Sequence, residues 1–467
     1  MLSEEPTLPA CRLAHLIGKP SAYWTVDDLV RVVTERRVSL LSLMHIGGDG
    51  WLKTLDFVPR NEKHLRDVLE GGERADGSSL FPGHGIPTAS SDILLRPRLS
   101  SAFLDPFSPR PSLVLLCSHH RPDGAWLPQS PDTIVRRAEA RVAERLGVQL
   151  MALGEVEFFL AKRRSESDIY GADDRGYHAT APFVFGESLR RQALGIAGDM
   201  GLPVKYAHSE VGYIEPDGHD DRIWEQHEIE LSLTPLAEAA EAVALIQWVL
   251  RNLAHASGML CSFAPILRKG HAGSGLHIHF SPMRGGRHLA GLSPDGDLED
   301  AARWLIAGMV AYGDALMAFG NRVEGSFVRL GQGKEAPSRV SWGAFDRMAL
   351  VRLPVVARDA KGLTRTPPTI EFRLPDGSAH PHLLLAAVAQ AMVAGHSLAD
   401  LDARLERTRS EAVEKNPDAA VRVPTNAEEV AAALEARREV FEAEGVFPPG
   451  VIDHLLGSLS ASREIGL

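Results

Sequence analysis

Apolar positions along this chain alternate between a helical rhythm and a strand rhythm. Residues 25–36 place Leu29, Val30, Val32 and Val33 on one face behind Thr25 or Asp27, either of which can cap, and predict a short amphipathic helix. Residues 38–45 and 51–57 read as a strand and its return, joined through Gly47, Gly48 and Gly50. A longer helix is predicted from Ser130 to Leu146, with a polar cap and Pro131 at its start. Further helices are expected at 187–200, 236–257, 298–319, 382–400 and 426–443. Between them lie short alternating segments at 151–161, 207–214, 226–233, 275–282, 350–357 and 369–374. The Gly-, Arg- and Asp-rich stretch Met283–Asp297 reads as a surface loop. Strands dispersed among helices predict an α+β fold. The expected division is an extension at 1–24, a small unit at 25–110 and one large domain at 111–467, with prolines clustered in the 105–130 boundary region.

Composition narrows the function classes. The chain has 467 residues, and 50 Lys+Arg against 61 Asp+Glu leave a net charge of −11, the wrong sign for a general nucleic-acid binder. Cys11, Cys117 and Cys261 are too few and too scattered for a disulfide framework or a zinc site, which fits a reducing cytoplasm. No apolar run of about 18 residues is present, and the acidic N-terminus lacks an apolar signal segment, so neither a membrane span nor secretion is expected.

The chemistry concentrates on the alternating segments. In Gly154-Glu155-Val156-Glu157, the two carboxylates share one strand face. Burying both unpaired would cost several kcal/mol, and a divalent cation would relieve the conflict. A lone Glu-x-Glu also suits a solvated strand face, but the arrangement recurs. Glu228 and Glu230 alternate in Gln226-His227-Glu228-Ile229-Glu230. His208 shares a face with Glu210, His277 with His279 and Ser281, and Glu371 with Arg373. A carboxylate-rich set with one or two imidazoles favours Mg²⁺ or Mn²⁺ over zinc. Such ions commonly accompany phosphate substrates. There is no phosphate-binding Gly-x-x-x-x-Gly-Lys-Ser/Thr loop and no dinucleotide fingerprint. A nucleotide would therefore be held by metals and by arginines from the 329–373 region.

These pieces, in this order, resemble the glutamine synthetase family over about residues 26–460. The carriers are Asp76-Gly-Ser-Ser with Ser91-Asp92, Ser130–Ala138, Gly154-Glu-Val-Glu-Phe-Phe, His208-Ser-Glu-Val, Gln226-His-Glu-Ile, Gly273-Ser-Gly-Leu-His-Ile-His, Glu335-Ala-Pro and Ile370-Glu-Phe-Arg-Leu-Pro-Asp. The resemblance implies a small N-terminal β-grasp domain and a large catalytic domain with a curved antiparallel sheet flanked by helices. It implies that Glu157, Glu210 and Glu228 bind the metal nearer the acceptor carboxylate. Glu155, His277 and Glu371 would bind the metal between the ATP phosphates. It places His279, Ser281, Arg347 and Arg352 at the nucleotide, and Arg329, Arg373 and the Gly273 backbone at a glutamate-like acid. Glu335 would sit on a closing flap, Arg347 would act in catalysis, and Tyr177 would lie beside the incoming amine with Glu210.

The implied activity is that of an ATP-dependent ligase with two or three Mg²⁺ or Mn²⁺ ions per site. It would convert the γ-carboxylate of L-glutamate, or a close analogue, to an acyl phosphate and couple it to an amine. The implied assembly is a homo-oligomer of two stacked hexamers with sites between subunits, with no nucleic-acid or membrane partner. The six metal positions all have matches, whereas the substrate positions drift. The ammonium-side Asp has no clean match beyond Asp49, and Ala272, Met348, Thr369 and His380 replace residues usual in the family. The spacing between Glu210 and Glu228 is about ten residues longer, so Glu225 and Glu230 are alternative ligands. No tyrosine follows Tyr312, so a C-terminal adenylylation tyrosine is missing. The readings to be separated are an amine ligase, an ordinary ammonia-using glutamine synthetase, a non-catalytic relative and, more remotely, a kinase that stops after phosphorylation.

Overall fold

Two sheets organise the chain. The structure, a computed structural model, describes residues 11–166, 168, 174–291 and 297–461. The expectations for residues 1–10 and for 292–296 within the Met283–Asp297 loop lie outside the described residues. The small sheet contains β1 (Leu40–Ile46), β2 (Leu52–Phe57), β3 (Glu73–Asp76), β4 (Asp92–Pro97), β5 (Phe103–Leu104) and β6 (Ser112–His120). Its order is β2-β1-β6-β4-β3, with β5 on β6. The predicted helix is Val26–Glu35, closed at its start by a reciprocal capping box between Thr25 and Asp28.

Two expectations about this unit change. The central strand β6 runs parallel to β1 and antiparallel to β4, so the small sheet extends to His120 rather than ending at 110. Pro106, Pro109 and Pro111 precede a fully buried strand, and the small sheet ends at His120, inside the expected 105–130 region. Residues 11–24 are not a loose extension either. Helix Arg12–Ile17 and Trp24 bury Leu13, Ile17 and the indole in the same core as Leu29, Val33 and Leu43. Six helical residues are too few to display a helical period.

The large sheet is built from β7 (Gln149–Arg163), β8 (Val204–Ile214), β9 (Arg222–Leu231), β10 (Thr234–Pro235), β11 (Leu260–Ser262), β12 (Leu276–Arg284), β13 (Arg287–His288), β14 (Trp342–Ala344), β15 (Val351–Leu353) and β16 (Ile370–Phe372). Its main order is β14-β15-β16-β12-β7-β9-β8, antiparallel except at β14–β15. Part of the expected surface loop is thus a hairpin, since Met283 and Arg284 pair with His288 and Arg287. The strand expected over 350–357 stops at Leu353 because Pro354 has no N–H for the ladder.

One face of this sheet packs on the helices Leu236–Ala256 and Asp300–Gly320, and Pro381–His396 packs in turn on both; the apolar residues of all three are buried nearly all round. Two of them approach at backbone contact: a Cβ on Gly308 would lie 2.2 Å from the carbonyl oxygen of Ala391, and one on Gly395 would lie 2.3 Å from that of Trp304. The segment expected as one helix over 382–400 ends at His396, and Leu401–Thr408 forms a separate helix bent by 118°. Among the described residues no single helix is long and apolar enough to cross a membrane.

Histidines gather where the two sheets' domains meet, His45, His84 and His119 from the small one and His380, His382 and the half-buried His454 from the large one. His45 Nδ1 and His119 Nε2 lie 3.0 Å apart, and the rings of His84 and His454 are 4.7 Å apart. His380 and His382 open the helix Pro381–His396, and neither has a hydrogen-bond partner for either ring nitrogen among the described residues. Burial pulls His45, His84 and His382 down to about 4 and His119 to about 3, from an ordinary 6.5. Neighbouring charges, including Lys53 at His45 and Arg322 and Asp49 at His84, leave the direction unchanged. A folded-state value below the unfolded one means that the unfolded chain binds the protons more tightly. Stability is therefore complete above about pH 6.5 and is lost as the pH falls toward about 4. The histidines' share of the thermal stability should be nearly pH-independent above neutrality and fall steeply between pH 6.5 and 4.5. His382→Leu should shrink that fall, and a melting temperature equally pH-dependent in the variant would show that this histidine does not contribute.

Candidate active site

Strand alternation and register together create one polar face. Glu155 and Glu157 point from the same side of β7. Across the ladders, Glu157 stands opposite Glu228, which stands opposite His208. Glu155 stands opposite Glu230 on one side and His277 on the other. His279 stands opposite Glu371, and Glu371 opposite Arg352. All these side chains line a cavity of about 1050 Å³, together with Glu210, Arg329, Glu335, Arg347 and Arg373.

Two groups of donor atoms emerge. Glu155, His279 and Glu371 offer atoms within 4.8 Å of one another, and so do His208, Glu210 and Glu228. The expected sets differ by one member each. His279, expected at the nucleotide, stands in the first group, its Nε2 3.0 Å from Glu155. His277 stands beside it, with Nδ1 3.1 Å from Glu155, 3.8 Å from Glu157 and 3.7 Å from Glu371. His208, expected on one strand face with Glu210 but not among the implied ligands, lies 3.1 Å from Glu228 and 3.6 Å from Glu210. Glu157 sits between the groups, accepting from Gln226 Nε2 at 3.0 Å and from the Gly275 amide at 2.8 Å.

The electrostatics of the two groups differ. Burial raises Glu210 to about 8, reinforced by the charges of Glu157 and Glu228. Burial likewise pushes Glu228 well above its ordinary value, with Glu155 and Glu157 adding to the shift. At Glu155 burial is outweighed by His279 and His277, which hold the carboxyl well below the usual range. Carboxylates crowded in this way are short of positive charge on the Glu210–Glu228 side. Oxygen-rich sets with an imidazole fit hard divalent cations such as Mg²⁺ or Mn²⁺, so the donor chemistry present suits the expected ions.

Strand parity separates Glu225 from the other two candidates. Gln226, Glu228 and Glu230 share the cavity face of β9, and Glu225 faces the other way. There Glu225 bonds His227 at 2.8 Å and the Phe185 amide at 2.9 Å, and His227 in turn bonds Arg190. Glu230 is neutralised by Lys205 at 2.6 Å. Glu228 alone joins a donor group.

The arginines occupy the same end of the cavity. Glu371 is bonded by Arg352 at 2.8 Å and by Arg373. Arg373 also donates to the carbonyls of Arg347 and Glu335, both at 3.0 Å. Arg329 donates to the Leu374 carbonyl at 3.1 Å and packs so close to Gly273 and Gly275 that a Cβ on either would crowd it. Glu335 adopts a left-handed backbone conformation (φ 46°) and faces Arg347 at 3.4 Å. Tyr177 is half exposed at the mouth, near both Arg347 and Glu210.

Ser281 departs from expectation. It is fully buried, bonded to His288 Nδ1 and to the Pro368 carbonyl, both at 2.9 Å, and does not line the cavity. It shares the strand face of His277 and His279, but the Pro368 segment covers it, and His288 reaches the cavity instead. Asp49 bonds Lys53 at 2.6 Å and is not a lining residue of this subunit's cavity. Gln226, which bonds Glu157, the Gly273 carbonyl and Ser274, was visible in the sequence only by its parity with Glu228.

Comparison with known proteins gives the same family. A family model described as "Glutamine synthetase, catalytic domain" matches residues 128–459. A glutamine synthetase of Clostridium saccharobutylicum is 30% identical over 379 residues, covering 80% of each chain. A 3-hydroxylaminophenol mutase of Cupriavidus pinatubonensis is 30% identical over 469 residues, covering 92% of this chain and 93% of its own. A GmaS/ADP complex superposes with a TM-score of 0.76 at 21% identity, over 93% of this chain and 95% of that one, a likeness of fold.

Manganese titration checks the donor groups. Glu371→Gln and Glu210→Gln should each weaken a different class of bound Mn²⁺ while leaving the circular dichroism unchanged. Gln226→Leu, which removes the bond that orients Glu157, should weaken binding by about 10–100-fold. Unchanged affinity in all three variants would exclude ion binding at this face.

Proposed function

Because the chain belongs to the glutamine synthetase family, we propose that it is a ligase that uses ATP to join the γ-carboxylate of L-glutamate, or a close analogue, to a primary amine. The observation that carries this reading is the meeting of two carboxylate–imidazole groups and four arginines in one cavity. Family members use ATP and divalent metal ions. Here Glu155, His277, His279 and Glu371 would hold one ion, and Glu157, His208, Glu210 and Glu228 another. Such ions, when bound, polarise phosphoryl oxygens and neutralise charge during transfer.

The remaining work falls to the chain's own groups. A carboxylate oxygen is a poor leaving group, so it attacks the γ-phosphorus of ATP, the bond to the bridging oxygen breaks and ADP departs. The amine nitrogen then attacks the acyl carbon, and phosphate leaves with the carboxylate oxygen. Arg347 and Arg352 would stabilise the phosphoryl oxygens, while Arg329 and Arg373 would hold the acid. Glu210, beside Tyr177, would take the proton that the ammonium must lose before its nitrogen can attack. The flap carrying Glu335 would keep water from the acyl phosphate.

Ammonia as the acceptor is the second reading, favoured by the relatives named glutamine synthetase. An organic amine is preferred because Ala272, Met348 and Thr369 stand in the cavity wall where other residues are usual in the family. Family homologues are oligomeric, and a dodecamer of two hexameric rings in the cytoplasm is the proposed form.

Phosphate release with ATP, glutamate and Mg²⁺ or Mn²⁺ across a panel of amines, with mass spectrometry of the product, tests the reading. A γ-glutamyl amide formed faster from an organic amine than from ammonia is expected. Ammonia outperforming every organic amine would establish the second reading, and no acid- and amine-dependent phosphate release would reject both. Glu157→Ala should abolish turnover while the protein remains folded.

A further inference from the structure

Three loops meet over the cavity, and one ion pair ties them together. The segment after helix Glu324–Gly331 carries Gln332, Gly333, Lys334 and Glu335 along the cavity wall. Lys334 Nζ lies 2.8 Å from Asp174 Oδ2 and also donates to the Gly270 carbonyl. Gln332 accepts from the Gly270 amide at 2.5 Å and donates to the His271 carbonyl at 3.5 Å. Asp174 is itself anchored, its Oδ2 accepting from the Ala272 amide at 3.1 Å and its Oδ1 from the Tyr213 amide at 3.4 Å.

The two partners are not equivalent. Asp174 is held by backbone donors from two separate elements, with a side chain only 18% exposed. Lys334 has a flexible stem and a side chain 46% exposed. An ion pair this open to water is weak and readily exchanged. The opposite side of the same segment is gripped by arginines, since Arg373 donates to the Glu335 carbonyl and Arg347 faces its carboxylate. The segment is thus fixed at Glu335 by groups of the reaction centre and fastened at Lys334 by a bond that water can break.

We propose that Asp174 and Lys334 are positioning residues, forming a reversible latch that holds the Glu335 segment across the cavity while the acyl phosphate waits for its amine. The proposal rests on the ligase reading above, and it assigns roles to two residues outside the reacting groups. A fixed acceptor and a mobile donor suit a closure that must release once per turnover. Opening the latch lets water compete with the amine for the acyl carbon. In that case the acyl carbon–oxygen bond breaks by hydrolysis and returns glutamate and phosphate.

The test measures coupling as well as rate. Asp174→Asn removes the charge and keeps one oxygen acceptor, so it also gives up one of the two bonds from the Ala272 and Tyr213 amides, whereas Lys334→Met removes the donor and leaves both of those bonds intact. Each variant should raise phosphate released per amide formed by roughly 2–5-fold, the shift available from losing one half-exposed ion pair. Lys334→Arg, which keeps a cationic donor opposite Asp174, should retain most of the coupling. Hydrogen exchange at residues 332–335 should rise in Asp174→Asn and Lys334→Met, whether or not turnover is observed. Unchanged exchange in both variants, or wild-type coupling in two active variants, overturns the latch. A wild-type enzyme with no acid- and amine-dependent phosphate release overturns the ligase reading, and the exchange measurement then decides the latch on its own.

Discussion

Mutual repulsion among buried carboxylates is the constraint on which this structure turns. Glu157 and Glu228 face each other across adjacent strands, with Glu210 close by on the next one. Like charges opposite each other weaken a sheet, and burial makes each carboxylate more costly. The protein answers differently at the two ends of the row. Around Glu155 and Glu371, His277, His279, Arg352 and Arg373 supply compensating charge and hydrogen bonds. Around Glu210 and Glu228, His208 supplies the ion-pair contacts among the described residues, and the protons are held more tightly.

A face so poorly matched to itself needs support from elsewhere. The reverse side of the same sheet rests on two helices backed by a third, all apolar almost all round and packed closely enough for glycines to meet backbone. Hydrophobic burial on one side offsets electrostatic cost on the other. Where the small sheet's domain meets the large one, the clustered histidines stay neutral at physiological pH because burial disfavours their charge. Loops from three parts of the chain line the remaining opening, and the side-chain ion pairs that hold them are exposed. Rigid scaffold and labile cover are therefore made from different kinds of interaction.

The carbon–oxygen chemistry proposed for this cavity fits that division. Charged groups that must stay in place sit on strands and are bonded to backbone or to each other, as with Gln226, Glu157 and Gly275. Groups proposed to act on the closing segment, such as Glu335 and Lys334, lie where the backbone takes left-handed turns and the side chains are exposed. The relatives carry several names, from glutamine synthetase to 3-hydroxylaminophenol mutase. The shared framework is thus compatible with variation at the substrate end, where this chain carries Ala272 and Met348 in the cavity wall.

Much of this could be read from residue order. The period-two rule placed Glu155 with Glu157 and His277 with His279, because side-chain direction on a strand is a local property. The same parity separates Glu225 from Glu228, a distinction available in the sequence although spacing alone left it open. The buried helices followed from apolar runs, and the capped helix at 26–35 from Thr25 and its neighbours. Tertiary structure decided what local rules cannot carry. It set which imidazole lies nearest which carboxylate, covered Ser281 with the Pro368 segment, placed Ser112–His120 in the small sheet and brought Asp174 to Lys334. Those outcomes depend on contacts between residues far apart in the chain, whose register and distance arise only when sheets and loops pack against each other.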